Sequence, residues 1–477
     1  MQKLLAPTPS LGRRLKYWAG ASALAVTLAG CAIPPPSGPL APPSSPASYA
    51  SRQSLAAPGA DWPSDHWWTD YQDPQLQSLI EEGLAAAPDM RVAASRIAQA
   101  NAAAAGADSA LLPALNGHAR AGGYVLPQGA ATPPGVHPLG FGTLDLNWDL
   151  DFWGKNHATA TAAHDQAQAA QAEAANTRLV LSTAIASAYG DLARLYAELD
   201  AAQDAARVRA QTEALIRQRF AEGLENQSAV DLATSDRAAA QEQVAEQQQK
   251  ILLTRNGIAA LLGAGPDRGL AITRPAALTQ KTFGLPADLQ LNLIGRRPDI
   301  IAAKLQAEAA ASRIKAAKAA FYPNVNLSAS IGLEAFGLGN LIKPGSGFGS
   351  AGPALSLPIF DGGQLRAQYR GAEAAYQIAV AQYDGALVEA LHQVANAATN
   401  ERALGNELTL SRDAEASAAA ALRTADGRYR GGLGTYLDVL TAENALITAR
   451  RQVADLESSG FTIDVSLIRA LGGGFHS

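Results

Sequence analysis

Cysteine, methionine and histidine are scarce in this chain. Its 477 residues include one Cys, two Met and seven His. A disulfide needs two cysteines, and soft-metal or thiol sites need several such ligands that converge in space. The sequence therefore excludes intrachain disulfide bonds, and we expect no metal site.

Aromatic residues and basic charge are also limited. Aromatics make up 6% of a chain that is 48% hydrophobic, so alanine supplies much of the apolar surface and long helices are favoured over a β-sandwich. Lys and Arg total 38 against 43 Asp and Glu, a net charge of -5, which argues against a nucleic-acid partner. The chain also lacks GxSxG, HExxH, CxxC and GxxxxGKS/T motifs, so we expect no enzyme and no catalytic residues.

The N-terminal segment is typical of an export signal. An apolar run at 17–30 follows three basic residues and is too short to cross a bilayer. It ends Leu-Ala-Gly-Cys at Cys31, which resembles the bacterial lipoprotein box, whose cysteine is lipidated and becomes the first mature residue. We expect a signal peptide over 1–30 and a covalent lipid on Cys31, with no other cofactor. The alternative is a free cysteine beside an ordinary cleavage site.

The segment that follows, 31–60, is rich in Pro, Ser and Ala and is predicted to be an extended, lipidated tether. In lipoprotein signals of this kind, Ala32 beside the cysteine does not retain the protein at the inner membrane, so the resemblance implies delivery to the outer membrane. No later apolar run reaches the roughly 18 residues that a transmembrane helix requires.

The rest of the chain is predicted to contain an internal duplication. Three markers recur at a separation of 209 or 210 residues: 110–116 with 320–326, 220–224 with 429–433, and 261–263 with 470–472. This period is far longer than a solenoid repeat and indicates a duplicated domain. We predict a first repeat at 61–262, a linker at 263–297 and a second repeat at 298–477.

Each repeat is predicted to hold one β-hairpin. Residues 143–152 and 324–334 alternate between apolar and polar, as strands with one face of each kind do. Weaker partner strands at about 115–124 and 350–360, with Gly/Pro-rich loops at 127–142 and 337–349, complete hairpins at about 115–152 and 324–360.

The predicted strands are long enough for a tilted crossing of a bilayer, and Asp145, Asp149 and Asp151 on one strand face suit a water-filled lumen. A soluble hairpin with one wet face fits the strands alone equally well. In lipid, four strands would leave open edges, so a membrane location requires several chains to pool their strands into a closed barrel.

Very long helices flank the predicted hairpins. Residues 155–222 contain no Pro and one Gly, and they are predicted to form a helix about 100 Å long. Apolar residues recur there at the three- and four-residue spacing of a coiled-coil seam: Leu181, Ile185, Ala188, Leu192, Leu195, Leu199, Ala202 and Ala206. We predict long helical hairpins at about 155–262 and 361–471, and shorter helices at about 74–86, 89–112 and 299–321.

Five segments together resemble the outer-membrane efflux proteins, the TolC-like channels, and within them the lipidated NodT-like branch. They are WW at 67–68 with YQDPQLQSLI at 71–80, RRPDI at 296–300, AFYP at 320–323, LSLPIFDGG at 355–363 and GTYLDVL at 434–440. The resemblance implies a fold class of mainly α with membrane β: a homotrimer in outer-membrane lipid, with a twelve-stranded barrel and a helical tunnel in the periplasm. It also implies a passive exit duct for small toxic compounds, docked on a periplasmic adaptor and served by an inner-membrane pump of the RND type.

The resemblance further assigns roles to residues near the two long-helix turns. The tips that contact the adaptor would be Gly223, Ser228, Gly432, Gly434 and Thr435, and the gate at the periplasmic entrance would be Asp438, Thr441 and Tyr429. Some family members carry a second acidic residue where this chain has Thr441, and others hold the entrance shut with an Arg where it has Gly434. This gate is therefore expected to be less charged and to be latched by other contacts. The alternatives are ordinary turns that need Gly, and Asp438 as a helix N-terminal residue.

Two other functions fit the same sequence features. One is an exit duct for type I protein secretion, which shares the architecture and would accompany an ATP-driven exporter. The other is a periplasmic scaffold lipoprotein that forms no pore, in which the strands would be soluble.

Overall fold

The computed structural model describes residues 34–476 except 37, 52, 127–134, 277–282 and 288. The predicted signal peptide and Cys31 lie outside the described residues, as does part of the loop expected at 127–142. No helix in the described part of the chain is long and apolar enough to cross a membrane.

The same order of elements occurs twice along the chain. The first series is α1 (Pro74–Ala86), α2 (Pro88–Ser109), β1 (Ala114–Leu126), β2 (Gly135–Asp149), α3 (Lys155–Ala221) and α4 (Gln227–Leu261). Two short helices follow, α5 (Asp267–Leu270) and α6 (Leu289–Arg296). The second series is α7 (Pro298–Ala319), β3 (Asn324–Phe336), β4 (Gly347–Ser356), α8 (Gln364–Arg430) and α9 (Tyr436–Leu471). Short 3₁₀ helices lie at Pro46–Ser48, Trp67–Tyr71 and Leu338–Asn340.

The described residues form two compact units. The sheet unit comprises 97–169, 303–383 and the described residues up to 43, and the helical unit comprises 44–96, 170–302 and 384 onwards. Each unit therefore takes segments from both halves of the chain, and neither coincides with a predicted repeat. The division into repeats at 61–262 and 298–477 stays a prediction from sequence.

The four strands of the sheet unit form one antiparallel sheet in the order β1-β2-β3-β4. Asp145 of β2 lies opposite Asn116 of β1 and Ser330 of β3, whereas Leu144 lies opposite Gly117 and Ile331. Because directly opposed residues in antiparallel strands share a face, the sheet has a polar face and an apolar face. The predicted alternation is therefore confirmed, and β1 and β4 are the two edges.

Several strand ends differ from the prediction. β2 begins at Gly135, within the loop expected at 127–142, because this stretch pairs with β1 as far as Leu126. β2 ends at Asp149 rather than at residue 152, because Asp151 has a φ of 48°, which breaks the extended backbone. β4 covers Gly347–Ser356 rather than 350–360, because its partner β3 begins at Asn324, which lies opposite Ser356. The loop expected at 337–349 is correspondingly shorter and contains a 3₁₀ helix.

The two longest helices, α3 and α8, contain 67 residues each, as the absence of Pro predicts. In the helical unit the predicted seam packs with α1, the Trp67–Tyr71 helix and α9 from Leu181 to Leu199, where its Leu and Ile side chains are buried and Ala188 is partly buried. Ala202 and Ala206 are half-buried, so the seam loosens toward the end of α3. The core of this unit thus lies where the short and long helices meet.

The tether predicted at 31–60 packs against the helical unit over part of its length. The amide of Ser44 donates to Asp384 of α8 at 2.9 Å, and Arg402, farther along α8, donates to the carbonyl oxygens of Ser54 and Ala56. Gly59 also pairs with Leu285 in a parallel bridge. The described part of this segment therefore follows a helix surface, which its Pro-rich composition alone did not predict.

Candidate functional site

The polar sheet face carries two of the three predicted lumen aspartates. Asp145 accepts hydrogen bonds of 2.7 Å from the hydroxyls of Thr143 and Ser330, and Asp149 accepts one of 3.2 Å from Asn324 Nδ2. His118 Nε2 lies 3.9 Å from Asp145. Thr143 shares β2 with Asp145, and the other partners come from β1 and β3, so residues of three strands surround the acidic groups on the polar face.

Asp151 does not lie on that strand face. It follows the end of β2, and its carboxylate accepts the backbone N–H groups of Asn156 and His157 at 2.8 Å. His157 Nδ1 is 2.6 Å from the same carboxylate. Asp151 therefore caps the N-terminus of α3, and the prediction that it shares a strand face with Asp145 and Asp149 is wrong.

Aromatic side chains cluster where the sheet joins the helices. Trp148 and Trp153 donate their indole N–H groups to the carbonyl oxygens of Leu111 and Pro323 at 2.9 and 2.8 Å. Trp153 also stacks on Tyr322, with ring centroids 4.7 Å apart, and Phe152 is 76% exposed. Aromatic rings with one polar group satisfied and one surface exposed are typical of a membrane–water boundary.

The first long-helix turn joins α3 to α4. Gly223 has φ 74°, and the N–H of Leu224 bonds to the carbonyl of Arg219 at 2.8 Å, which closes the end of α3. Asn226 caps α4 by accepting the N–H of Ala229 at 3.0 Å, and Ser228 is an exposed residue in the first turn of α4. The residue that corresponds to Thr435 at the 209-residue offset is therefore Asn226, which the sequence interpretation missed.

The second long-helix turn has the same construction. Gly432 has φ 75°, and the N–H of Leu433 bonds to the carbonyl of Arg428 at 2.8 Å. Gly434 is half-buried beside Arg428, and Thr435 caps α9. Both turns thus need a left-handed Gly, and this requirement explains Gly223 and Gly432 whether or not the turns also contact a partner.

Asp438 forms a reciprocal cap with Thr435. Its carboxylate accepts the backbone N–H and the hydroxyl of Thr435, both at 2.9 Å, while its own N–H donates to Thr435 Oγ1 at 3.3 Å. The bonds from the backbone and then the hydroxyl of Thr435 hold the pKa of Asp438 below its ordinary value. The side chain is exposed, so it is ionised and open to solvent at neutral pH.

The other two predicted gate residues have different environments. Tyr429 is buried, and its hydroxyl donates to Glu225 at 2.7 Å while Arg219 stacks on its ring, so it ties the two turns together. Burial raises its pKa above the ordinary tyrosine value, as does the bond to Glu225. Thr441 is exposed and donates to the carbonyl of Leu437 at 2.8 Å. Tyr429 is therefore a contact between hairpins and not a residue of the open surface.

A buried ion pair farther along the helices was not predicted. Arg209 of α3, 5% exposed, bonds to Glu443 and Asn444 of α9 at 2.5 and 2.6 Å, and Thr212 donates to Glu443 at 2.9 Å. Burial raises the pKa of Glu443 despite these partners. Arg209 continues the seam spacing three residues after Ala206, so a charged residue at a seam position was the available signal.

Histidine and carboxylate side chains of the described residues meet in pairs. Within the described ranges, no group of three or more His, Cys, Asp or Glu side chains is arranged to hold a metal ion. The two close His–carboxylate contacts, His157 with Asp151 and His164 with Asp108, are separate pairs on the sheet unit.

Comparison with known families gives one match that covers most of the chain. The protein family described as "Outer membrane efflux protein" matches residues 79–264 and 291–473 of this chain. These ranges include both hairpins of the sheet, both long-helix turns and the buried ion pair.

Individual proteins with this architecture are also similar to the chain. The fusaric acid resistance protein FusA of Burkholderia cepacia is 38% identical over 326 residues, which is 66% of this chain and 61% of that protein. The multidrug resistance outer membrane protein MdtP of Escherichia coli (strain K12) is 30% identical over 436 residues, 89% of this chain and 88% of that protein. The crystal structure of the outer membrane protein VceC of Vibrio cholerae superposes with a TM-score of 0.83, at 42% identity, over 87% of this chain and all of that one.

Proposed function

The chain belongs to the outer membrane efflux protein family, and we propose that it is the outer-membrane exit duct of a tripartite efflux system for small toxic compounds. Members of this family are outer-membrane channels rather than enzymes. The observation that carries the proposal is the sheet with one polar and one apolar face, because such a sheet suits a wall between water and lipid.

Closure of that wall requires more than one chain. A sheet of four strands in lipid leaves the backbone groups of β1 and β4 without partners, which is too costly in a medium without water. A homotrimer that pools strands into one barrel removes both edges. The aromatic cluster at the sheet–helix junction would then lie at the periplasmic boundary of the membrane.

The proposed protein partners follow from the need for an energy source for transport. No nucleotide-binding motif is present, so transport must be driven by an inner-membrane pump, which we propose is of the RND type and reaches the duct through a periplasmic adaptor. The two turns, built around Gly223 and Gly432, are the proposed adaptor contacts. Asp438 is the proposed charged residue of the entrance, because it is exposed and ionised beside one of these turns.

Attachment to the membrane is proposed to involve a lipid on Cys31. Its support is the lipoprotein box at the end of the apolar run. The described tether that follows packs along α8, so the lipid would be joined to the body by an ordered segment.

The test is export in living cells. We expect deletion of the gene to raise the intracellular concentration of a pump substrate, with fusaric acid as the first compound because of the similarity to FusA, and we expect the wild-type gene to restore export. Strains that lack the pump should not respond to the deletion. Unchanged accumulation of every tested compound, with pump and adaptor active, would refute the proposed function.

A further inference from the structure

A cavity of about 230 Å³ lies inside the helical unit, between α3, α4 and α9. Its apolar wall consists mainly of alanines from α3 and α4, including Ala205 and Ala240, together with Ile447 of α9. Small residues at these helix contacts leave space that larger side chains would fill. The cavity is open to solvent on one side, so a solute can reach it without unfolding of the helices.

One buried polar group on the cavity wall has no partner. Gln247 of α4 is 2% exposed, it lines the cavity, and its Oε1 has no hydrogen-bond donor among the residues that the structure describes. Buried amide oxygens are nearly always satisfied, because an unpaired one keeps the full cost of its dehydration. A donor from outside the chain is therefore expected in the cavity.

The charges around the cavity favour a cation as that donor. Arg209 is neutralised by the buried Glu443, and Glu198 bonds to Arg194. Asp236 lies 4.0 Å from Arg209 as a second carboxylate beside it, and the other charged lining side chains are the acidic Glu242 and the basic Arg451. Acidic groups thus exceed basic ones, and the unpartnered Oε1 adds a further negative dipole.

We propose that this cavity binds a small primary alkylammonium ion. The ammonium group donates to Gln247 Oε1 within the acidic surroundings, and a short alkyl chain packs on the alanines and Ile447. The volume is below the roughly 300–1,000 Å³ of pockets for drug-sized ligands, so a chain of about six carbons fits better than a large compound. This site lies between helices of the helical unit and does not depend on the proposed transport function.

The experiment is a calorimetric titration of n-hexylammonium into the full-length mature protein in mild detergent, with the same titration into detergent buffer subtracted. We expect saturable binding at one site per chain. Gln247→Leu removes the acceptor at similar volume and should weaken binding at least about tenfold, because a hydrogen bond to a charged group is lost. Gln248→Leu, at an exposed position outside the cavity, should bind like the wild type.

Two further probes separate the parts of the proposal. n-Hexanol has the same chain without charge and should bind at least about tenfold more weakly than n-hexylammonium. Ala240→Leu fills the cavity and should abolish binding; it also serves as the deciding variant if Gln247→Leu does not fold. No saturable binding to the wild type, equal binding to Gln247→Leu and wild type, or a cavity that holds water only would each overturn the proposal.

Discussion

Asp438 shows how one carboxylate combines a structural and a proposed functional role. The cap with Thr435 positions the side chain at the start of α9, and the same two bonds lower its pKa. A residue held in this way keeps its charge in a fixed place near the turn. The two interpretations made from sequence, an entrance charge and a helix-terminal residue, are therefore compatible.

We predict that Asp438→Asn reduces the cation preference of the channel. Asn keeps an oxygen that can accept from Thr435 but lacks the charge, so folding should be largely retained while cation attraction is lost. The measurement is the reversal potential of the protein in a planar bilayer under a salt gradient. Asp413→Asn, at an exposed site elsewhere on α8, is the matched control and should leave the reversal potential unchanged.

The same residue has a defined pH dependence. Because the folded pKa is lowered, the Asp438 carboxylate and its contribution to stability are present above the unfolded pKa of about 3.9 and are lost as the pH falls through the lower folded pKa. Cation preference should therefore persist from neutral pH down to about pH 4. Loss of the preference between pH 7 and 5 would show that Asp438 is not its source.

At the scale of elements, the close approach of α3 and α9 depends on Gly190. A Cβ atom there would lie 2.7 Å from Phe461 Cδ1 and 2.8 Å from Thr462 Cγ2. Phe461 is itself buried in the core, so it has little room to move. The isolated Gly of the long helix is thus explained by helix packing.

We predict that Gly190→Ala lowers the stability of the protein by about 1–3 kcal/mol, because the added methyl group overpacks this contact. Gly257→Ala is the matched control, since Gly257 lies inside α4 with open space around its Cβ position, and it should gain up to about 1 kcal/mol of helix stability. Thermal unfolding of both variants in the same detergent measures the difference. Equal melting temperatures would contradict the packing argument.

The junction of α8, α9 and the Trp67–Tyr71 helix contains a group that titrates near neutrality. Tyr71 donates to Asp464 of α9. The negative charge of the Asp464 carboxylate also acts on Glu401 of α8. Burial, together with Asp464, raises the pKa of Glu401 to about 7. Its protonated form therefore stabilises the fold most below the unfolded pKa of about 4.3, and this contribution is lost as the pH rises through 7.

We predict that Glu401→Gln removes part of the fall in melting temperature between pH 5 and pH 8, because glutamine stays neutral across that range. Glu407→Gln, at an exposed position on the same helix, should keep the wild-type pH dependence. Melting curves at the two pH values decide the outcome. A wild-type protein with the same melting temperature at both would contradict the assignment.

For the whole molecule, the two faces of the sheet should differ in whether they tolerate a charged substitution. Leu144 lies on the apolar face and Asn147 on the polar face of the same strand. In the proposed barrel, Leu144→Arg places a charge in lipid at a cost of about 2–4 kcal/mol near the midplane, whereas Asn147→Arg points into water. We predict less trimer in the outer-membrane fraction for Leu144→Arg and normal amounts for Asn147→Arg.

The native mass of the detergent-extracted protein measures this directly. A trimer for the wild type and for Asn147→Arg supports the pooled barrel. A monomer that leaves the membrane when Cys31 is changed to Ala would instead indicate a lipid-tethered scaffold without a pore.

Much of the architecture follows from the sequence because its causes are local. The lengths of α3 and α8 follow from alanine-rich stretches without Pro, the polar and apolar sheet faces follow from strict alternation, and both long turns follow from Gly. The family was also predicted correctly, because its five segments are short and continuous. Each of these signals is contained within one element.

Features that depend on distant residues were decided only by the tertiary structure. β4 stops where its partner β3 begins, Asp151 lies beyond the strand and caps α3, and the hydroxyl of the buried Tyr429 donates to Glu225, which lies 204 residues earlier. The pair of Arg209 with Glu443 spans 234 residues. Hydrophobic periodicity reports which face of an element is apolar, but the partner that covers a polar group is set by three-dimensional packing, and a polar group is recognisable as buried only once that partner is in place.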